Sequence, residues 1–384
     1  TAGTQASAHT TISSGSVTVD KTNPAFSSIS PATNGFMSTT AVGYTLSEAL
    51  SSGTVTFQRT GGSSASNVTV NLTGAELNSG ARGSGVLTNA PTLVNNAVYS
   101  IKFNGVDLSG NVASEATVTG VTFNNVAPTI TSVTSTTNDG AYNAGDNINI
   151  TVNFSEAVTL SGGNLVITLE TGSTDRTVTI TSISGATSAS GTYTVQAGDT
   201  SADLTVKTIA LSAGNLSNAA SLAMSSFSIG SNLSVTSAIV IDTTIPVISN
   251  TSPAASTTIL NKNIGYTLSE QCASGTVVFT RTGGTADGNS PHTVNLVASE
   301  LTSGAHGPAE LFNSPTLVSG TTYSIAYNVT DLAGNAASAV TNTGISFISD
   351  NTSPTVSITS NDVNSGGLSN LSAIVVNFTI SETT

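Results

Sequence analysis

Charged side chains are scarce in this chain, at 8% of 384 residues, against about 25% in a typical globular domain. Such a shortage, together with only 5% aromatic residues, also occurs in disordered proteins. Disordered segments, however, usually combine a high net charge density with few β-branched residues. Here Val, Ile and Leu recur in short alternating runs, and proline occurs only ten times. We therefore expect the chain to fold.

The scarcity of cysteine, of basic residues and of long apolar runs argues against disulfides, nucleic-acid partners and membrane helices. Cys272 is the only cysteine, so no internal disulfide can form and core burial must hold each domain. The 8 basic residues form no stripe and face 21 acidic ones, which argues against a nucleic-acid partner. No apolar run approaches the ~20 residues of a membrane helix, so we expect no membrane span. Because the chain lacks an initiating Met and begins and ends in mid-pattern, we expect a piece of a longer protein.

The side chains of catalysis are nearly missing. Histidine occurs only at His9, His292 and His306, each isolated in the sequence. No Gly-x-Ser-x-Gly elbow, P-loop, dinucleotide fingerprint or Cys/His metal spacing is found, and we expect no enzyme. A carbohydrate-binding module is disfavoured because the chain has no Trp and its seven Tyr mostly lie in core-patterned runs. A cluster of exposed Tyr would favour such a module.

Self-comparison of the sequence reveals tandem repeats. The segment that starts at Asp20 recurs from Asp242, and two motifs follow in the same order in both copies. These motifs are Tyr-Thr-Leu-Ser-Glu at residues 44–48 and 266–270, and Asp-Leu-Ser/Ala-Gly-Asn at residues 107–111 and 331–335. A divergent unit between the copies keeps Phe-Ser-Glu up to Glu156, and Ile-Ser-Glu ends at Glu382. The sequence therefore predicts at least three related units.

Within each unit, apolar residues alternate with polar ones in short runs bounded by Gly, Asn, Asp or Ser. Tyr99, Ile101 and Phe103 form one such run. About seven runs per repeat, with turns every ~8–12 residues, indicate a Greek-key sandwich of immunoglobulin (Ig) type. The expected fold class is all-β, with tandem Ig-like Greek-key β-sandwich domains in an elongated array.

Prolines at the repeat junctions place the expected domain boundaries. Residues 1–23 would be the last strand of a preceding Ig-like unit, and residues 354–384 the start of a further one. Residues 24–126 would form one Ig-like domain, residues 127–244 a divergent one, and residues 245–353 a copy of the first.

The repeats resemble the bacterial Ig-like modules of large surface adhesins, biofilm-associated proteins and surface-layer proteins. The resemblance rests on the Asp-x-Thr-x-Pro junction, the Phe/Leu-Ser-Glu strand end and the Asp-Leu-Ala-Gly-Asn turn, and it covers nearly the whole chain. It implies an extracellular protein at the bacterial cell surface. It also implies calcium at the junctions between repeats.

Polar residues far apart in the sequence should meet at one pole of each sandwich. In an Ig-like sandwich the chain arrives at the pole that carries the B–C and F–G loops. Clustered carboxylates and carbonyls are what Ca²⁺ coordination requires, so calcium is the expected cofactor. The candidate ligands are Asp20, Glu48, Asp107 and Asn111 in the first repeat, and Asp242, Glu270, Asp331 and Asn335 in the third.

Alternatives remain open for these residues and for the net charge of −13. Taken alone, the negative net charge favours a role in solubility over one in calcium binding, since like charges keep a surface protein from aggregating. Asp107 and Asp331 would then merely cap turns in which Gly and Asn accept positive φ, with Glu48 an ordinary loop residue.

The second repeat departs from the pattern, and calcium is less expected there. Asn124 and Asn125 stand at its junction, and the Leu-Ser-Ala-Gly-Asn stretch at residues 211–215 lacks the Asp. Glu156 is retained.

The expected function is a structural stalk segment of a secreted bacterial surface adhesin, with rigid repeats stiffened by calcium. Its partners would be neighbouring repeats or copies of the same protein, with any host or biofilm ligand bound outside this chain. The alternative is a self-assembling subunit of an extracellular filament, sheath or surface layer. Subunits would then join by strand exchange, with Gly15 to Asp20 and Ala373 to Ile380 as donor and acceptor.

Overall fold

The computed structural model describes residues 18–349, 355–362, 366–368, 370 and 372–381. The chain divides into two compact units. Unit 1 comprises Thr1–Asp139, Asn147–Thr194 and Ser201–Ile239, and unit 2 comprises Gly140–Asp146, Val195–Thr200 and Val240–Thr384. The first repeat and most of the middle repeat lie in unit 1, and the third repeat lies in unit 2.

The first repeat forms two sheets. Its strands are β1 (Phe26–Ser30), β2 (Phe36–Met37), β3 (Ala41–Leu46), β4 (Leu50–Gly62), β5 (Val68–Asn71), β6 (Gly80–Val86), β7 (Ala97–Asp107) and β8 (Ala116–Phe123). One sheet has the order β1-β3-β6 and the other β2-β8-β7-β4-β5, and a 3₁₀ turn at Gly74–Leu77 precedes β6. This separation of strands A, B and E from strands C, F and G is that of an Ig-type sandwich.

The core of the first repeat lies between these two sheets. Tyr99, Ile101 and Phe103 alternate along β7 and are all buried. The ring of Phe103 lies with its centroid 5.7 Å from that of Tyr44 on β3, and Phe26 on β1 contacts Tyr44 at 5.5 Å. Aromatic contacts therefore join the two sheets, and no disulfide is needed because buried apolar area supplies the stability.

The middle repeat has a different arrangement of strands. They are β9 (Ile130–Thr134), β10 (Gly140–Tyr142), β11 (Asn147–Ser161), β12 (Leu165–Glu170), β13 (Arg176–Ile180), β14 (Ala186–Thr194), β15 (Thr200–Ser201), β16 (Thr205–Leu211), β17 (Asn215–Asn218), β18 (Ile229–Ser231) and β19 (Ile239–Asp242). The sheet orders are β14-β11-β9-β18, β13-β12-β16 and β10-β19-β15, with β17 also paired to β11. A single helical turn, α1 (Leu233–Thr236), precedes β19.

The third repeat reproduces the first. Its strands are β20 (Ile248–Ser252), β21 (Thr258–Ile259), β22 (Asn263–Leu268), β23 (Cys272–Gly284), β24 (His292–Asn295), β25 (Gly304–Glu310), β26 (Thr321–Asp331) and β27 (Val340–Phe347). The sheets run β20-β22-β25 and β21-β27-β26-β23-β24, and a 3₁₀ turn lies at Ala298–Glu300. The prediction of an all-β chain of tandem Ig-like sandwiches is confirmed by this shared strand order, whereas the elongated array and the domain boundaries stay predictions.

The start of a further Ig-like unit at residues 354–384 stays a prediction, and the described part of this stretch contains two strands. Strands β28 (Val356–Thr359) and β29 (Asn377–Ile380) pair antiparallel with each other. The predicted strand at residues 15–20 lies partly outside the described residues, and its described residues, 18–20, form no strand.

One buried polar cluster distinguishes the third repeat from the first. Asp287 is 9% exposed, and its Oδ2 accepts hydrogen bonds from Tyr323 Oη at 2.6 Å. His292 Nε2 lies 2.6 Å from the same oxygen. His292, isolated in the sequence, thus gains a partner in the fold, because the loop between β23 and β24 is longer than its counterpart between β4 and β5 and places Asp287 beside the ring. Hydrogen bonds from Tyr323 and His292 lower the pKa of Asp287 to about 2.

We expect Phe57→Ala to destabilise the first repeat by about 3–5 kcal/mol, because truncating a buried aromatic side chain leaves a cavity. Phe57 is fully buried, and its ring contacts Tyr99 edge-on. Leu108→Ala is the control, since Leu108 is 78% exposed and should change stability by less than about 0.5 kcal/mol. Urea unfolding measures both, and equal losses in the two variants would contradict the assigned core.

We expect Asp287→Asn to lower the unfolding midpoint at pH 7, because the ionised carboxylate accepts bonds that an amide cannot replace. The folded pKa lies below the ordinary value of 3.8, so this stabilisation is full above that value and disappears as the pH falls towards 2. The deficit of the variant should therefore shrink over that range. Melting curves from pH 7 to 2 measure it, with exposed Asp203→Asn as control, and a deficit constant with pH would contradict the assignment.

Candidate metal centres

In each repeat a serine forms hydrogen bonds with the segment through which the chain enters the sandwich. This arriving segment comprises residues 20–25 in the first repeat, 124–129 in the middle repeat and 242–247 in the third. In the first repeat the Ala25 N–H donates to Ser47 Oγ at 2.9 Å, and the Ser47 N–H donates to the Ala25 carbonyl at 3.1 Å. The same two bonds join Thr129 to Ser155, Val247 to Ser269 and Thr355 to Ser381. The recurrence of Ser-Glu in the sequence thus has a structural cause: the serine binds the arriving segment, and in the first three repeats the following glutamate, Glu48, Glu156 or Glu270, lies at the same pole.

A second recurring contact lies four residues before the junction prolines of the first three repeats, Pro24, Pro128 and Pro246. There an Asp or Asn side chain caps its own segment, as Asp20 Oδ1 does by accepting the Thr22 N–H at 3.0 Å. Asp242 and Asn124 make the same bond, to Thr244 at 2.9 Å and to Val126 at 3.1 Å. The first residue of the site is therefore oriented locally, before any other partner is considered.

The turn after β7 fixes the third residue. Asp107 is 2% exposed, and its Oδ1 accepts the N–H groups of Ser109 at 2.7 Å and Asn111 at 2.8 Å. Asp107 therefore caps its own turn, as the alternative interpretation expected, and its role as a metal ligand stays a prediction. Gly110 has φ +91°, which explains the glycine, whereas Asn111 does not adopt positive φ, contrary to the alternative in the sequence analysis. Asp331 caps the matching turn after β26 through the Asn335 N–H at 2.8 Å.

The structure brings the three predicted carboxylates of each flanking repeat together. In pole triad 1, Asp20, Glu48 and Asp107 each place one carboxylate oxygen within 4.8 Å of the others. Asp242, Glu270 and Asp331 form pole triad 3 in the same way. Two oxygen ligands of one Ca²⁺, each at about 2.4 Å, can be at most about 4.8 Å apart. Separations within this limit are necessary for a single Ca²⁺ to contact all three side chains, and both triads meet that condition.

Asn111 and Asn335 lie beside the triads as hydrogen-bond donors. Asn111 Nδ2 donates to Asp107 Oδ2 at 2.8 Å and to the Asp20 carbonyl at 3.3 Å. Asn335 Nδ2 makes the equivalent bonds at 2.8 and 2.9 Å. Both side chains thus orient an aspartate against the arriving segment, and metal coordination by their own oxygens stays a prediction.

Burial and the crowding of like charges both act on the glutamates of the two acidic triads. Burial, followed by the charges of the two aspartates in its triad, raises the pKa of Glu48 above its usual range. The same causes raise the pKa of Glu270. Burial also opposes ionisation of Asp107, but hydrogen bonds from Asn111, Ser109 and Gly110 outweigh it and lower the pKa of that carboxyl. The ionised triads therefore carry a repulsion that a bound cation would relieve.

The middle repeat builds the same site from different residues. Asn124, Glu156 and Asn218 form pole triad 2, in which Asn124 Nδ2 donates to Glu156 Oε2 at 2.6 Å and Asn218 Nδ2 to Glu156 Oε1 at 3.2 Å. Asn125 stays outside the triad, and its N–H donates to Asn95 Oδ1 at 2.9 Å.

The sequence analysis placed the closing turn of the middle repeat wrongly. Residues 211–215 connect β16 to β17, where Gly163 and Gly214 allow a close backbone approach. The true counterpart of the Asp107 turn starts at Asn218, whose Oδ1 accepts the Ala220 and Leu222 N–H groups, both at 3.0 Å. Ser221 takes positive φ there, +62°, in place of glycine. Because Ser221 and Leu222 replace the Gly-Asn pair of this turn, the turn could not be recognised by comparison of the repeat sequences.

The first and third repeats also share an open groove, of about 370 Å³ and 330 Å³ respectively. Its lining is Ser, Gly, Thr, Asn and small apolar residues in both repeats, without a titratable side chain.

Six of the seven tyrosines are buried, so the exposed Tyr cluster that a carbohydrate-binding module would need is not formed by them. In the part of the chain that the structure describes, no helix is long and apolar enough to cross a membrane.

Comparison with known proteins does not assign this chain to a family. No family model and no curated protein matches the chain. Among solved structures, the FN1–FN3 domains of chicken CNTN1 are 12% identical, over 84% of this chain and 99% of that one, with a TM-score of 0.27. Dimeric latent PorU from Porphyromonas gingivalis is 11% identical, over 85% of this chain and 34% of that one, with a TM-score of 0.18. Both TM-scores are low, so the fold assignment rests on the strand order given above.

Proposed function

We propose that this chain is a structural stalk segment of a secreted bacterial surface adhesin, without catalytic activity. Its repeats are held by Ca²⁺ at pole triads 1 and 3. The observation that carries the proposal is the presence of three carboxylates at the same pole of two repeats, with oxygens within 4.8 Å of one another. A tandem array of small sandwiches with a cation at the arriving segment is suited to transmitting force along a chain.

The mechanical effect of the cation follows from which elements it joins. In pole triad 1, Asp20 belongs to the arriving segment, Glu48 to the turn between β3 and β4, and Asp107 to the end of β7. One Ca²⁺ would therefore tie the arriving segment to both sheets of the sandwich. Without the cation, the same three charges repel each other and push the segment away from the pole.

Several observations support a non-catalytic role. The open grooves bring no titratable side chain together. The Asp287–His292 pair is engaged with Tyr323 in a buried cluster and serves stability. Adhesive contacts with a host or biofilm surface are assigned to regions outside this chain, and copies of the chain or neighbouring repeats are its nearest partners.

The second candidate is a self-assembling subunit of an extracellular filament, sheath or surface layer. It is favoured by the hairpin of β28 and β29, on which apolar side chains stay exposed. They are Val356 at 60%, Ile358 at 64%, Phe378 at 68% and Ile380 at 54%. Such a hairpin requires a covering sheet, either from the remainder of its own repeat or from another copy. Within this chain β28 and β29 pair only with each other in the described residues.

We expect the chain, freed of metal by EDTA, to bind two Ca²⁺, and Asp107→Asn and Asp331→Asn each to remove one site. At a Ca²⁺ concentration about 100-fold above Kd, each site should stabilise its repeat by about 2.7 kcal/mol. Isothermal titration calorimetry measures the stoichiometry, and thermal unfolding with and without EDTA measures the stabilisation.

The matched control is Asp203→Asn, which removes the same charge from an exposed position outside the triads. It should bind as much Ca²⁺ as the wild type. If the wild-type chain takes up no Ca²⁺ at millimolar concentration, the aspartates are turn-capping residues alone and the metal-bound stalk is wrong.

Small-angle X-ray scattering separates the two candidate functions. A stalk segment should remain monomeric, with a larger and better-defined maximum dimension in Ca²⁺ than in EDTA. Growth of the scattering mass with concentration would instead favour the filament subunit.

A further inference from the structure

The three pole triads share one backbone framework. In each, an Asx-type cap orients the first residue, a serine ties the arriving segment, and the third side chain accepts N–H groups of its own turn. Equivalent bonds exist at pole triads 1 and 3. The three sites therefore differ in side-chain chemistry far more than in backbone arrangement.

The chemical difference is the replacement of two carboxylates by two amides. Pole triads 1 and 3 offer only acceptor groups to one another, with three negative charges when ionised. Pole triad 2 has one carboxylate, and each of its oxygens receives an amide N–H, from Asn124 at 2.6 Å and from Asn218 at 3.2 Å. A carboxylate with both oxygens satisfied in this way needs no metal to be stable at a buried pole.

The contact with the arriving segment is also rebuilt. In the first repeat Asn111 Nδ2 reaches the Asp20 carbonyl of that segment. In the middle repeat Leu222 takes the place of Asn111 in the turn, and Asn218 Nδ2 itself donates to the Val126 carbonyl at 3.2 Å. Asn218 thus combines the turn-capping role of Asp107 with the donor role of Asn111. The substitutions at these positions compensate each other and do not simply damage the site.

We propose that pole triad 2 is held by amide hydrogen bonds in place of a cation. The middle repeat therefore keeps its arriving segment in place when Ca²⁺ is withdrawn, while the first and third repeats release theirs. The second half of this contrast rests on the proposed function. Loss of Ca²⁺ would then loosen the chain only at alternate repeats.

The first test is hydrogen exchange of the full chain with Ca²⁺ and with EDTA. The probes are the N–H groups of Ala25, Thr129 and Val247, which donate to the tying serines. EDTA should accelerate exchange at least tenfold at Ala25 and Val247 and leave Thr129 unchanged. Acceleration at Thr129 equal to that at the other two would overturn the inference.

The second test converts one kind of site into the other. Asn124→Asp/Asn218→Asp should bind one more Ca²⁺ per chain than the wild type and make exchange at Thr129 sensitive to EDTA. The matched control, Asn125→Asp/Asn215→Asp, adds the same two charges at exposed neighbouring positions and should add no site. The first variant is refolded in the presence of Ca²⁺, so that a requirement for the metal during folding does not obscure the result.

The reciprocal variant is Asp20→Asn/Asp107→Asn/Asn111→Leu, which gives pole triad 1 the composition of pole triad 2. It should bind one Ca²⁺ fewer than the wild type, and its Ala25 N–H should stay protected from hydrogen exchange in EDTA. If the wild type binds two Ca²⁺ but neither conversion changes the stoichiometry, this inference is wrong and the proposed function stands. If the wild type binds three, the middle site takes a cation and the inference fails alone. If the wild type binds none, both proposals fail.

Discussion

The pole of the first, middle and third repeats depends on one interaction, the acceptance of backbone N–H groups by a side-chain oxygen of the residue that ends a core strand. Asp107 does this at 2% exposure, and Asn218 does it at 5%. A buried polar side chain is costly unless its hydrogen bonds are made, and here the turn supplies them. Because the turn closes around this oxygen, the remaining atoms of the side chain are aimed at the arriving segment. Both the triads and the attachment of that segment follow from this arrangement.

Once the third residue is fixed, the choice between carboxylate and amide decides what else the pole requires. An amide has two N–H donors and can satisfy the glutamate directly, as Asn218 does with Glu156. A carboxylate has no donor and adds a charge, so the charges of Asp242 and Asp331 add to the effect of burial in raising the pKa of Glu270. Replacement of two carboxylates by amides, with Leu222 in place of Asn111, therefore separates a pole whose glutamate is fully hydrogen-bonded from the poles for which a cation is proposed.

The sequence predicted most of the fold because one physical signal, alternate burial along strands, is strong in this chain. Ile148, Ile150 and Val152 are fully buried on β11 as their spacing indicates. The flanking triads were also predictable, since repetition showed which residues stand at strand ends and the Ig topology brings those ends to one pole. Asn218 was missed because Ser221 adopts the positive φ usually reserved for glycine. The Asp287–His292 contact was missed because loop conformation, unlike strand pairing, leaves no periodic pattern.

Because charged residues are scarce in this chain, the clustering of three carboxylates at two poles requires an explanation. Only 21 carboxylates occur in 384 residues, so dispersing them would be easy, and repulsion within a cluster is avoided wherever nothing offsets it. Ordinary solubility needs charges on the surface and does not need three of them within 4.8 Å at a pole that includes a buried aspartate. The middle repeat shows that the same backbone accommodates an uncrowded alternative. The crowding in the first and third repeats is therefore the observation on which the proposed cation depends.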